Sequence, residues 1–203
     1  MKTVYQFQHA TNDNDFGIIL GGDKNTDLDW PQNPLGEDLK LLMTIDNNRF
    51  NENISEVILP EDKFTSVFST YSEERYFLDD IIYSGDQVEF NYIKKGFTKV
   101  IVSENPFLKA DNGSQTNRFS LKPRELESDI FPAFSFFSKE LPNGVNGCNE
   151  LLSEYYFICQ IYSSDIPSKD GGALGLSDAI GYLFLKKDIS EHTDAGFFFI
   201  QTA

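Results

Sequence analysis

The sequence predicts a mainly β fold: a single compact domain built from two similar β-rich halves, with few short helices. Three observations predict it. The chain of 203 residues carries 19 Phe and 9 Tyr, and aromatic residues make up 14% of it. Disordered chains lack such a content, and pleated, half-buried surfaces favour it. Short apolar runs punctuated by Gly, Asn, Asp or Pro recur along the whole length. Two of these runs then return, in the same order and at the same spacing, in the second half. The length suits one domain, or two small fused halves, and is enough to bury a core without disulfides or metals.

Taken in order, "KTVYQFQ" reads as a first strand, and residues 10–36 as a loop. "LKLLMTID" and "FTSVFSTY" follow as apolar strands. "YSEERYFLDDIIYSG" fits helix or strand equally. "DQVEFNYI" reads as a strand, because Val88, Phe90 and Tyr92 alternate with Gln87, Glu89 and Asn91. "FTKVIVSE" and "RFSLK" are strands on either side of the turn-rich residues 103–118. "PRELESDIFPAFSFF" reads as a short helix. Pro123 suits a first turn, acidic residues follow it, and Leu121, Leu126 and Ile130 share a helical face until Pro132 ends the run. Residues 138–150 and 163–177 are loops around "YYFICQIY", and "IGYLFLKK" and "GFFFIQT" close the chain as strands. The continuously apolar runs call for burial on both faces.

The repeat is the most informative pattern. Ile45 and Ile161 are 116 residues apart, as are Phe68 and Phe184. "LKLLMTID" thus overlays "YYFICQIY", and "FTSVF" overlays "IGYLF", with polar connections of equal length between them. The expected organisation is one domain over residues 1–203 with an internal pseudo-repeat of roughly 16–102 and 119–203.

Charge narrows the function classes. Asp and Glu number 32 against 17 Lys and Arg, a formal charge of −15. That field repels nucleic-acid phosphates and anionic lipid, and attracts a basic partner. It also does nothing more than keep many proteins soluble. Cys148 and Cys159 have no second Cys or His at ligand spacing, which speaks against zinc. The opening "MKTVYQFQHATND" has no apolar signal core, and no apolar run reaches about 18 residues. The expectation is a cytoplasmic protein with no membrane span, no cofactor and no nucleic-acid partner.

One segment invites a metal. In "GGDKNTDLDWP", Asp23, Asn25 and Asp27 match ligand positions 1, 3 and 5 of a calcium loop. The turn glycine is replaced by Leu28 and the closing glutamate by Pro34. A solvated acidic loop is the plainer account, and a metal-binding regulator acting through Asp23–Asp29 remains an alternative. A phosphate loop fails because Asp23 stands where the lysine belongs. "SKDGGALGLSDAIG" is glycine-rich and holds Asp178, which suits a turn cap. A hydrolase using Asp or Glu of this loop is a second alternative. His9 and His192 lie in polar contexts without a nucleophile setting, so no catalytic residue is assigned. "YSEERYFLDD" is the densest mixture of acids and aromatics.

Gly21-Gly22, Trp30-Pro31 and "LKLLMTID" in the first half, with "FICQI", "GLSDAIGYLFL" and "GFFFIQTA" in the second, together resemble the YwqG-like family. Thr44 departs from that pattern by replacing a Gln, and the glycine of Ser177–Gly181 is displaced. The resemblance implies an internally duplicated β fold, similar to the programmed-cell-death-2 type domains that chaperone a ribosomal protein. It also implies a binding role, such as immunity to a toxin or chaperone-like holding. The expectation is therefore a non-enzymatic module that recognises a basic protein through Asp23, Asp27, Asp29, Trp30, Glu73, Glu74 and Asp178.

Overall fold

The computed structural model describes residues 2–10, 15–22, 24, 28–55, 58–108, 117–127, 133–166, 172–189 and 192–202. They form ten strands in one antiparallel sheet: β1 (Lys2–His9), β2 (Ile18–Leu20), β3 (Lys40–Asp46), β4 (Phe64–Ser69), β5 (Thr98–Ser103), β6 (Asn117–Leu126), β7 (Phe136–Phe137), β8 (Tyr155–Tyr162), β9 (Ile180–Lys186) and β10 (Gly196–Gln201). Two helices, α1 (Asn47–Asn53) and α2 (Gln87–Ile93), lie in connections. The order across the sheet is β10-β9-β8-β7-β1-β6-β2-β3-β4-β5. The sheet curls into a near-barrel, so β5 and β10 meet. Thr98 Oγ1 donates to the Phe198 carbonyl (2.7 Å), and the Ala195 N–H to the Val100 carbonyl (2.9 Å).

The order reads the same from either end. β1 and β6 form the central pair, and β7, β8, β9 and β10 on one side answer β2, β3, β4 and β5 on the other. Each half lends its first strand to the other: β6 pairs with β2, and β1 pairs with β7. The registers agree as well. Ile45 faces Thr65 and Ile161 faces Gly181, and the ladder slips between Leu41 and Met43 as it does between Phe157 and Cys159. The matched set begins at β1, before residue 16. Among the described residues it departs most in the connection from β4 to β5, which is much longer than that from β9 to β10 and contains α2.

Strand alternation sends side chains into an interior and onto two outer cores. Met43, Ile45, Val67, Val100, Leu183 and Phe198 fill the interior. Phe157, Tyr182, Phe184, Phe197 and Phe199 form an outer core over the second half, and Leu41, Phe68 and Phe107 one over the first. The residues of β9 and β10 are buried on both faces, except for the partly buried last residue of each strand. Gly181 faces the interior, where a Cβ would come within 2.4 Å of the Phe198 ring.

Four segments differ from the sequence expectation. "DQVEFNYI" is helix, not strand. Asp86 caps it by accepting from the Val88 (2.7 Å) and Glu89 (3.3 Å) amides, while Glu89 accepts from Ser84. Phe90 and Ile93 pack inward at helical spacing, and Val88 is left exposed. Pro123–Leu126 belongs to β6 rather than to a helix. Beyond Phe119 that strand has only one neighbour, and such an edge accommodates Pro123. The 10–36 loop contains β2. "YSEERYFLDDIIYSG" is mostly irregular around a single 3-10 turn at Leu78–Asp80.

Gly181→Ala drives a methyl into the space of Phe198, and such overpacking costs about 1–3 kcal/mol. Urea denaturation is expected to show that loss with an unchanged slope.

Candidate binding surface

The long β4–β5 connection starts with a clasp. Thr70 donates to the Phe97 carbonyl through both its amide (2.9 Å) and its hydroxyl (2.8 Å). Ser72 Oγ then accepts from the Glu74 and Arg75 amides, a tight turn that leaves Glu73 and Glu74 in solvent. Arg75 is the pivot. Its Nε and Nη2 donate to the two carboxylate oxygens of Glu37 at 2.8 and 2.7 Å, and its Nη1 lies 2.6 Å from Asp80 Oδ2. Glu37 belongs to the turn before β3, where Asn33 Oδ1 accepts from the Leu35 and Glu37 amides and Asn33 Nδ2 donates to Glu37. The Arg75 and Asn33 hydrogen bonds hold the Glu37 carboxyl down at about 2.

A third loop completes this end of the barrel. Gly175 sits at φ 91°, so close to Phe77 and Leu78 that a Cβ would lie 2.8 and 2.7 Å from their side chains. The turn carrying Leu176 and Asp178 therefore rests on the segment carrying Glu73, Glu74, Tyr76 and Asp79. Tyr76 is 68% exposed and Leu35 59%, unusual for residues of their size. Among the described residues, Glu73, Glu74, Asp79 and Asp178 make no ion pair, as also holds for other exposed acids such as Glu61, Asp62 and Glu154. The surface is an acidic rim with apolar points.

Of the residues singled out from sequence, Glu73 and Glu74 lie exposed on this connection, and Asp178 lies exposed on the turn whose Gly175 packs against Phe77 and Leu78. Trp30 does not. Its Nε1 donates to the Leu39 carbonyl (2.7 Å), and its half-buried ring stands edge-on to Phe68 and Phe107. It anchors the cover of the first outer core. Asp29 is exposed beside it, and Asp23 and Asp27 lie outside the described residues. Sequence reasoning missed Arg75, Leu35 and Tyr76 as individual residues. No local pattern announces Arg75, because its partner Glu37 is far away along the chain.

Other chemistry is sparsely provided. Burial pushes the Cys148 thiol up to about 12, and the Cys159 thiol higher still. His9 stacks on Phe119 with ring centres 4.9 Å apart. Among the described residues no group of three or more His, Cys, Asp or Glu side chains is placed to hold a metal ion. An open groove of about 390 Å³ runs between Ile58–Glu61 and Leu185–Ile189, floored by Tyr156. None of the described helices is long and apolar enough to cross a membrane. No protein-family model matches the chain, and a search of curated proteins returns no match.

Arg75→Gln leaves Glu37 and the buried Asp80 without their cation. The expected cost is on the order of 2 kcal/mol at neutral pH, below that of a fully buried pair because Arg75 and Glu37 are partly solvated. Glu37 is depressed from 4.5 to about 2. Its contribution is thus complete above 4.5 and fades as pH falls toward 2. Denaturation curves of the native chain and the variant should converge over that interval.

Proposed function

We propose that this chain is a non-enzymatic, acidic protein-binding module whose rim takes a basic protein. The observation that carries the reading is the exposed Glu73–Asp79 segment: Glu73, Glu74 and Asp79 make no ion pair and flank an exposed Tyr76, while Arg75 ties the segment to Glu37 and Asp80. Unpaired carboxylates on a −15 chain raise the encounter rate with a cation-rich surface. An exposed Tyr beside them supplies contact area at little entropic cost, and interfaces are enriched in such residues. Bracing matters because a preordered surface loses less freedom on binding.

The same charge supports a partner other than nucleic acid, and two free thiols suit a reducing cytoplasm. The matched registers of the two half-sheets support a duplicated architecture within one domain. The likeness to the YwqG-like family, with its immunity or chaperone-like roles, rests on the motif residues quoted for it. The metal-regulator reading rests on Asp23–Asp29, of which Asp23, Asn25 and Asp27 lie outside the described residues, and the hydrolase reading on a glycine-rich loop of which residues 168–171 lie outside them.

A Lys/Arg-rich peptide with one central aromatic residue, titrated into isotope-labelled protein, is expected to shift the amides of Glu73–Asp79 and Leu176–Asp178. Doubling the salt should weaken it several-fold. Glu73→Lys/Glu74→Lys should lower affinity at least about tenfold with little change in melting temperature. Shifts spread evenly over the acidic surface would overturn the assignment.

A further inference from the structure

The long β4–β5 connection ends in the opposite kind of surface. After α2 the chain reads Lys94-Lys95-Gly96-Phe97-Thr98-Lys99, and it returns as the wall of a cleft of about 170 Å³ against Thr193, Asp194 and the start of β10. Lys94, Lys95 and Lys99 line this space, and Lys186 reaches Asp194 beside it. Two ammonium groups therefore meet one carboxylate here, and two more lysines, Lys95 and Lys99, line the same cleft, in a chain whose charges are mostly negative.

The cleft already shows what it binds. Lys94 Nζ lies 3.3 Å and Lys186 Nζ 2.6 Å from the Asp194 carboxylate oxygens, so two cations chelate a single resident anion. Lys95 is turned over the Tyr92 ring at 5.2 Å, and Lys99 makes no ion pair. Gly96 shapes the turn between them. It takes φ 110°, and a Cβ there would crowd Lys99 Cε at 3.2 Å. The glycine thus lets the Lys99 stem lie across the turn. Like charges held this close repel one another unless an anion joins them. An anion inside the cleft lies within one Debye length, about 10 Å at ordinary salt, of the lysines that line it, so their attraction is only partly screened.

We propose that this cleft is a binding site for the phosphate group of a small molecule, held by Lys95 and Lys99 with the Thr193 hydroxyl and with Lys94 shared from Asp194. Size sets the class. The volume equals that of about five or six water molecules at ~30 Å³ each. That is room for a phosphate and a short ester, but below the roughly 300 Å³ at which pockets for drug-sized ligands begin. The site is separate from the acidic rim and does not depend on the function proposed for it.

Inorganic phosphate and glycerol phosphate, titrated separately into isotope-labelled protein, test the assignment. Both are expected to give saturable shifts at Gly96, Thr98, Thr193 and Gly196 in the millimolar range or tighter. Tighter binding of the ester identifies an organic phosphate as the ligand, and equal binding identifies free phosphate. Lys95→Ala/Lys99→Ala should weaken both at least about tenfold with the melting temperature nearly retained, since Lys95 is exposed and Lys99 is not buried. Asp194→Asn, which removes the resident anion, should tighten both several-fold. No saturable shift, or shifts that survive unchanged in the double lysine variant, would overturn the proposal.

Discussion

A sheet whose strands are apolar on both faces must be covered on both, and that constraint organises the molecule. Closing the sheet into a near-barrel hides one face and most of its edges at once. It leaves the other face of each half in need of a lid. Loops provide both lids. Trp30, Phe107 and Leu108 cover the first half, and α2 with the segment around Cys148–Leu151 covers the second. Much of what the sequence presents as connection is therefore core in function, and Trp30 belongs to it. The residues left for recognition are those at the crests of the lids.

Those crests are concentrated in the region where the two half-sheets match least. The β9–β10 connection is short, and the β4–β5 connection is long. The extra length carries Glu73, Glu74, Tyr76 and Asp79 at one end and Lys94 and Lys95 at the other. It is fastened at its base by Thr70 and midway by Arg75. The near-symmetric scaffold thus carries one connection much longer than its counterpart. The barrel is held by registers that both halves share, while the insert adds charge of both signs to the surface.

Most of the strand framework was legible because apolar runs and their spacing are local properties. The offset of Ile45 to Ile161 and Phe68 to Phe184 survives in the registers, and even the bulges fall at matching points. Local reasoning failed where two periods fit one string. In Gln87–Ile93 the alternation of Val88, Phe90 and Tyr92 suggested a strand, yet Asp86 and Glu89 form a helix start that satisfies the free amides. The lesson from Pro123 is the reverse, since helix-start chemistry yielded to a long ladder with β1. Of the binding surface, the acids were visible and their organiser was not. Arg75 acts through Glu37, a contact that exists only once β3 and β4 have paired.

The exchange of first strands has a consequence for how the chain is made. β1 leaves the ribosome before its partners β6 and β7, which lie beyond residue 116. During synthesis the strand "KTVYQFQH" has no native ladder to join until the residues of β6 have emerged. β2 to β5 can pair among themselves in the meantime, yet their sheet stays open at the place where β6 will dock. Such long-range pairing slows folding and leaves apolar edges exposed to other chains. Production at reduced temperature, or with holding chaperones present, thus favours soluble protein for a reason written in the order of the strands.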